Sequence, residues 1–333
     1  MNQPGQPDSV ASASNFCTSL SQETPTSHLL GLLQDAQTRW HLPRLEAQML
    51  LLHTLGRPPH DRAWLLAHDR DTASPAQAEA FAQLCAQRAS GTPVAYLTGE
   101  REFFGLPLRV DARVLDPRPD TETLVEWALE VLGKLQAAQP SPKPLRVLDL
   151  GTGSGAIALA LKRHGPPGTE VWALDASGDA LVVASANGER LQLPVHWVHS
   201  TWPGGWLSGW ESGWESGRAE SRPADFHLLV SNPPYIPDHD PHLTALHAEP
   251  RAALAAGPDG LADLRTIAEQ ARQHLLPGGA LLLEHGHDQA DAVAEILRTQ
   301  GYTAVQHRQD LAGHRRCTGG QWPGSNACNA AVA

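Results

Sequence analysis

Leucines and other apolar residues recur at helical spacing from residue 28 onward. Leu29, Leu30, Leu32 and Leu33 form one group, Leu45, Met49, Leu50 and Leu52 a second, Trp64, Leu65 and Leu66 a third, and Phe81, Leu84 and Cys85 a fourth. Apolar positions three and four apart are what an amphipathic helix turns toward a core. Pro43, the stretch 56–59 and Ser74-Pro75 fall between the groups and act as helix stops and starts. The pattern predicts a small helical domain over 27–90, with leucines that serve as core and carry no chemistry of their own. Residues 1–26 are rich in Ser, Pro, Gln and Thr and predict a disordered leader.

Past residue 90 the period changes. Residues 91–122 read as a linker and a β-hairpin, ending in a loop where two prolines flank Arg118. A helix follows over 123–138, and Pro140-Ser-Pro-Lys-Pro144 ends it. Short apolar runs then alternate with helical stretches. Strands are predicted at 147–150, 170–175, 195–199, 225–231, 280–284 and 302–307, and helices at 156–161, 179–191, 260–274 and 288–299. Runs such as Val147-Leu-Asp-Leu150 and Ala280-Leu-Leu-Leu283, apolar almost throughout, are those of strands covered on both faces. The alternation predicts a doubly wound, mostly parallel α/β sheet over 123–314. One stretch interrupts it. Gly205-Trp-Leu-Ser, Gly209-Trp-Glu-Ser and Gly213-Trp-Glu-Ser repeat every four residues, and Gly and Ser make a poor helix, so 203–222 reads as a low-complexity insertion.

Composition narrows the class. With 41% apolar and 18% charged residues in 333, the chain has the balance of a soluble globular protein, and no apolar run approaches a membrane span. The first residues carry no basic segment followed by an apolar core, so no secretory signal is expected. Cys17, Cys85, Cys317 and Cys328 are scattered and form no CxxC pair, which points to a reducing, cytoplasmic setting and away from zinc. His239, His242 and His247, and His285 with His287, lack the companion acid or cysteine that a metal site needs, so no metal is expected. A formal net charge of −11 is the wrong sign for gripping a polyphosphate backbone. The balance favours a protein or small-molecule substrate.

Two turns carry the chemistry. Strand 147–150 breaks at Gly151-Thr-Gly-Ser-Gly155 and resumes as a helix, the first crossover of an open α/β sheet, where ligands bind beyond the carboxyl ends of the strands. No lysine follows Gly155, which excludes a phosphate loop. Asp149 just before the turn suits a ligand bearing an ammonium or hydroxyls better than a pyrophosphate. Asp175, at the end of the next strand, is placed to hold ribose hydroxyls. Both features fit an adenosine ligand. The second turn, Asn232-Pro-Pro-Tyr235, sits at the end of strand 225–231. Its prolines aim backbone carbonyls rigidly, Asn232 adds a side-chain carbonyl, and Tyr235 a flat ring. Together they suit a planar NH₂ group, with two acceptors for its hydrogens and a ring against its face. Held so, a delocalised nitrogen presents its lone pair along one axis. An electrophilic methyl on that axis makes the reaction methyl transfer.

The glycine turn together with Asn-Pro-Pro-Tyr resembles the class I, S-adenosylmethionine-dependent amino-methyltransferases. Further motifs narrow it: Gly99-Glu-Arg-Glu-Phe-Phe-Gly-Leu106, Pro117-Arg-Pro-Asp-Thr-Glu122, Asp240-Pro-His-Leu243, Glu249-Pro-Arg-Ala-Ala-Leu254 and Leu281-Leu-Leu-Glu-His-Gly286. The set is similar to the protein-(glutamine-N5) methyltransferases of peptide chain release factors. That resemblance implies a Rossmann-like methyltransferase sheet with a small N-terminal helical domain, and S-adenosylmethionine as cofactor. It implies that Gly151, Thr152, Gly153, Ser154 and Gly155 line the methionine part, that Asp175 binds the ribose, and that Trp202 lies beside the adenine. Asn232 would touch both cofactor and substrate, with Pro233, Pro234 and Tyr235 completing the substrate pocket. The partner implied is a release factor, methylated on the glutamine of its Gly-Gly-Gln loop. The helical domain would help to dock it, and a monomer acting without membrane or direct nucleic-acid contact is expected. Because adenine methyltransferases share Asn-Pro-Pro-Tyr, methylation of a flipped adenine is the competing reading.

Three positions depart from that pattern. Thr201 stands where the family has an acid, and Asp116 where it has an aliphatic residue. Beyond His314 the family has a valine-rich closing strand, whereas Arg315-Arg-Cys-Thr-Gly-Gly-Gln-Trp-Pro does not look like a strand. Residues 315–333 are therefore predicted to be a flexible tail. Within it, Gly319-Gly-Gln321 repeats the target motif, so a mobile tail that occupies its own active site is an expectation to test.

Overall fold

A computed structural model describes residues 28–138, 144–200 and 225–324. The expected leader 1–26, Trp202 and the repeat insertion lie outside the described residues. The chain divides into two units, 1–82 and 83–333.

The first unit holds α1 (Leu29–Arg39), α2 (Arg44–Thr54), α3 (Arg62–Ala67) and the start of α4 (Pro75–Ala89). Leu29, Leu32, Leu33 and Ala36 of α1 and Leu50, Leu51 and Leu52 of α2 are buried, so the two helices close on their leucine faces. Ser74 starts α4 with a reciprocal cap. Its Oγ accepts from the Gln77 N–H at 3.2 Å, and the Gln77 side chain accepts from the Ser74 N–H at 2.9 Å.

The second unit continues with α5 (Val94–Thr98) and a hairpin of β1 (Glu100–Phe103) and β2 (Leu106–Arg109), paired antiparallel. A 3₁₀ turn at Pro119–Thr121 leads into α6 (Glu122–Ala138). Then come β3 (Arg146–Leu150), α7 (Ala156–His164), β4 (Glu170–Asp175), α8 (Gly178–Leu191), β5 (His196–His199) and β6 (Phe226–Ser231). Short α9 (His242–Ala245) precedes α10 (Ala262–Ala271), β7 (Leu275–Glu284), α11 (Ala290–Thr299), β8 (Thr303–Gln309) and β9 (Arg315–Gln321). The seven-stranded sheet runs β5-β4-β3-β6-β7-β9-β8. Every adjacent pair from β5 to β7 is parallel, and β9 alone runs antiparallel to its two neighbours.

Alternate residues of the central strands face opposite layers. Val147, Leu228, Val230 and Leu282 pack with Leu124, Val125, Ala128 and Leu132 of α6 and with α7. Leu148, Leu150, Leu229, Leu281 and Leu283 pack with Leu264 and Ile267 of α10 and with Val293 and Leu297 of α11. This explains the continuous apolar runs: period two serves two cores at once.

Residues 315–321 are not a flexible tail. They form β9, inserted between β7 and β8, with Leu282 opposite Gly319 and Glu284 opposite Cys317. Segment 310–314 reverses the chain, where the Asp310 carboxylate accepts from the N–H groups of Ala312 and His314. Glycine is needed at 319 because α6 crosses the strand there. A Cβ on Gly319 would stand 2.9 Å from the Trp127 ring and 2.4 Å from a Leu282 methyl. The strand also settles the fate of Gln321. Antiparallel β9 carries it to the position opposite Ala280, four residues down β7 from Glu284. At ~3.3 Å per residue that is roughly 13 Å toward the other edge of the sheet. Gln321 therefore does not reach the Asn232 turn from this strand.

Candidate active site

The sheet order creates the crevice. From β3 the chain steps outward through β4 and β5, then returns to the far side of β3 as β6. Where strand order reverses like this, the connections leave the carboxyl edge in opposite directions and a gap opens between them. Leu150 of β3 lies opposite Ser231 of β6, and the Ser231 hydroxyl donates to the Leu150 carbonyl at 2.7 Å. Gly151 and Asn232, each the next residue along, therefore leave the sheet side by side.

The glycine turn is held from both sides. Gly151, Gly153 and Gly155 have φ of 72°, 54° and 84°, left-handed values that explain the spacing. Gly155 has a second reason, since a Cβ there would come within 3.1 Å of Leu159 and Trp197. The N–H groups of Gly151 and Thr152 donate to the Leu174 carbonyl at 2.9 and 3.0 Å. Asp175 accepts from the Gly153 N–H and from the Ser177 N–H, both at 2.8 Å. Burial raises the Asp175 carboxyl above its ordinary range against those hydrogen bonds. Asn187 braces the same turn from α8: its Nδ2 donates to the carbonyls of Ser154 and Arg109, and its Oδ1 accepts from the Arg109 N–H.

Asp149 lies under the turn, fully enclosed. Its Oδ2 accepts from the Thr152 hydroxyl at 2.6 Å and the Ala158 N–H at 3.2 Å, and its Oδ1 has no partner. Burial pushes its carboxyl up to about 7. An unpartnered buried carboxylate oxygen costs free energy and calls for a donor.

At the end of β6, Pro233 and Pro234 are buried, and Asn232 and Tyr235 half-buried. The Tyr235 carbonyl accepts from Gln289 Nε2 at 3.1 Å, and Gly260 passes so close that a Cβ would be 2.3 Å from that oxygen. The Tyr235 hydroxyl donates to Glu284 Oε1 at 3.4 Å. Burial, reinforced by the Glu284 carboxylate, pushes the phenol up, so it stays a donor. Asn232 Nδ2 donates to Thr121 Oγ1 at 3.1 Å.

Beside the turn, three motifs converge on ion pairs. Arg101 forks onto both oxygens of Asp116, whose own N–H donates to Glu249 Oε2 at 3.2 Å. Glu249 Oε1 accepts from Arg118. Asp116 is only 2% exposed, and these partners explain how an acid is accommodated where an aliphatic residue is usual.

The residues singled out from the sequence thus fall on one edge: 151–155 and Asp175 around β3 and β4, and 232–235 at β6. Thr121, Asn187 and Glu284 carried no assigned role. Glu284 had a signal, a charge closing the run Ala280-Leu-Leu-Leu283. Asn187 had a weaker one, a polar residue mid-helix. Among the described residues, no group of three or more His, Cys, Asp or Glu side chains could hold a metal ion.

Residues 32–99 match the family described as the PrmC N-terminal domain, and residues 147–203 a methyltransferase domain family. A release factor glutamine methyltransferase of Bordetella pertussis is 48% identical over 293 residues, covering 87% of this chain and 98% of that protein. One of Burkholderia pseudomallei is 45% identical, covering 85% and 93%. One of Coxiella burnetii is 40% identical, covering 82% and 90%. Each of these matches spans more than four fifths of the chain. The chain belongs to the release factor glutamine methyltransferase family.

Proposed function

We propose that this protein transfers a methyl group from S-adenosylmethionine to the side-chain amide nitrogen of the glutamine in the Gly-Gly-Gln motif of a peptide chain release factor. The observation that carries the reading is the side-by-side exit of Gly151 and Asn232 from β3 and β6. It brings a nucleoside-type turn and an amide-type turn to one crevice.

The residues present fit the cofactor. Asp149 offers a buried oxygen without a partner, which suits an ammonium group. Space beside Gly153 is open where a Cβ would stand. Gly151, Thr152, Gly153, Ser154 and Gly155 would hold the methionine part and Asp175 the ribose, with Trp202 beside the adenine. When bound, the group supplies an electrophilic methyl on a sulfonium. This chain's residues do the rest. Asn232 Oδ1 and the Pro233 carbonyl accept the two hydrogens of the substrate amide, and the Tyr235 ring lies against its plane. Pro233 and Pro234 keep those acceptors from drifting. Two fixed acceptors orient the nitrogen lone pair and stabilise the positive charge that grows there. The neutral phenol of Tyr235 adds no competing nucleophile.

The helical unit is assigned to docking the release factor. The same reading puts the protein in the cytoplasm, as a monomer without direct nucleic-acid contact. Among the described residues no helix is long and apolar enough to cross a membrane. The test is a labelled methyl donor offered with release factor and, separately, with DNA, followed by mass spectrometry to place the methyl group. Label on the Gly-Gly-Gln glutamine is the expected result. Label on DNA alone would overturn the reading.

A further inference from the structure

Asn187 stands inside α8 with its side chain fully enclosed. A buried amide must place two donor hydrogens and a carbonyl oxygen. Three hydrogen bonds do so here. Oδ1 accepts from the Arg109 N–H at 2.8 Å, and Nδ2 donates to the Arg109 carbonyl at 2.9 Å and to the Ser154 carbonyl at 3.0 Å. The side chain thus exchanges both bonds with the peptide groups of Arg109, as a residue of an adjoining antiparallel strand would. Arg109 closes β2, so the amide extends the hairpin and ties it to the glycine turn. Arg190, three residues further along α8, adds a bond to Oδ1 at 3.4 Å and another to the Pro107 carbonyl.

The Arg109 N–H needs an acceptor and the Arg109 carbonyl a donor, so the two ends of the amide cannot be exchanged. One N–H is left, and it goes to Ser154. In a planar trans peptide the C=O and N–H point opposite ways. The peptide joining Ser154 to Gly155 is therefore locked at both ends. Asn187 holds its oxygen, and its Gly155 N–H donates to the Thr152 carbonyl at 2.9 Å. That peptide lies where the turn becomes α7, with Gly153 before it and Gly155 in it, both at left-handed φ. Glycines lose more conformational freedom on ordering than other residues. Fixing the turn before a ligand arrives removes that cost from binding.

We infer that Asn187 is a positioning residue for the cofactor, holding the empty glycine turn in its binding shape by anchoring it to the β1–β2 hairpin. The inference rests on the proposal that residues 151–155 hold the methionine part of S-adenosylmethionine. Asparagine is the residue this geometry requires. Ionised aspartate has no hydrogen for either carbonyl, and serine or threonine has one. Glutamine has the same amide but carries it one methylene too far.

The test uses the full chain. Asn187→Asp keeps the shape and the acceptor and turns lone pairs toward both carbonyls. Its KM for S-adenosylmethionine is expected to rise roughly tenfold or more, with kcat at saturating cofactor within about threefold of the parent. The Kd for S-adenosylhomocysteine, measured by calorimetry without substrate, should rise by the same factor. Asn187→Ala, which leaves both carbonyls without a donor but sets no charge against them, should move the same way. Gly319→Ala controls for lost stability alone, since it acts at β9 and α6 and should leave that Kd within about twofold of the parent. Hydrogen exchange in the empty protein reads the brace itself. The Gly155 and Arg109 amides should exchange slowly in the parent and quickly in both Asn187 variants. Fast exchange of both amides in the parent, or slow exchange with parental Kd in both variants, would overturn the inference. Fast exchange in the variants with parental Kd would show a braced turn that does not hold the cofactor. The proposed site, and with it the cofactor role of Asn187, would then fall.

Discussion

Replacing Gly319 with alanine adds one methyl group in the middle of β9, one strand in from the edge of the sheet. Gly319 lies outside the left-handed region, so the only obstacle to a Cβ is space. That atom would stand 2.4 Å from Leu282 Cδ2, 2.8 Å from the Leu281 carbonyl oxygen and 2.9 Å from the Trp127 ring. The leucine methyl can turn away. The carbonyl belongs to the backbone of β7, and Trp127 is wedged into the core by α6, so neither can. The strand or the helix has to move. Overpacking of this kind costs typically ~1–3 kcal/mol, and the two rigid contacts place Gly319→Ala near the upper end. For a unit of this size, ~3 kcal/mol corresponds to a fall in Tm of roughly 6–12 °C. Thermal unfolding followed by circular dichroism reads it, with two internal controls. Gly320→Ala meets its nearest atom, Tyr302 Cβ, at 3.1 Å and should cost about 1 kcal/mol. Gln321→Ala removes an exposed side chain and should stay within ~0.5 kcal/mol of the parent. If all three melt together with the parent, β9 is not part of the sheet and the tail expected from the sequence is reinstated.

Asn232→Ala removes the side-chain acceptor but no cofactor-holding backbone. Calorimetry should show cofactor affinity largely kept while release-factor turnover almost vanishes, and near-normal turnover would refute the amide-orienting role. Asp175→Ala should weaken cofactor binding by roughly 1.5–3 kcal/mol, the range for hydrogen bonds to a charged acceptor. Unchanged affinity would mean that another group holds the ribose. Asp149 gives a pH test. Burial raises its carboxyl in the folded state to about 7 from an ordinary 3.8, so the folded chain binds its proton more tightly than the unfolded one. The stability this contributes is complete below the unfolded value and lost as pH rises through about 7. Between pH 5.5 and 8.5 the parent should therefore lose stability relative to Asp149→Asn, and parallel melting curves at the two pH values would contradict the assignment.

The sequence by itself determined the strands that bury both faces, because near-continuous apolar runs such as 147–150 and 280–283 leave no other use for their side chains. It also marked the two turns. Glycines at 151, 153 and 155 are a backbone requirement written locally, as their positive φ values show. The prolines after Asn232 are another. What it could not determine was anything decided across strands. Arg315–Gln321 has little local preference for a strand, with two adjacent glycines and only Cys317 and Thr318 to bury. It becomes one because β7 and β8 each present an unpaired backbone edge, and because α6 passes so low that only glycine fits at 319. The acid at 116 looked out of place until folding brought Arg101 and Glu249 to it. The same holds for Glu284, Thr121 and Asn187. Each acts through a partner tens of residues away, and a hydrogen bond between segments depends on where the sheet order puts them, which no spacing along the chain records.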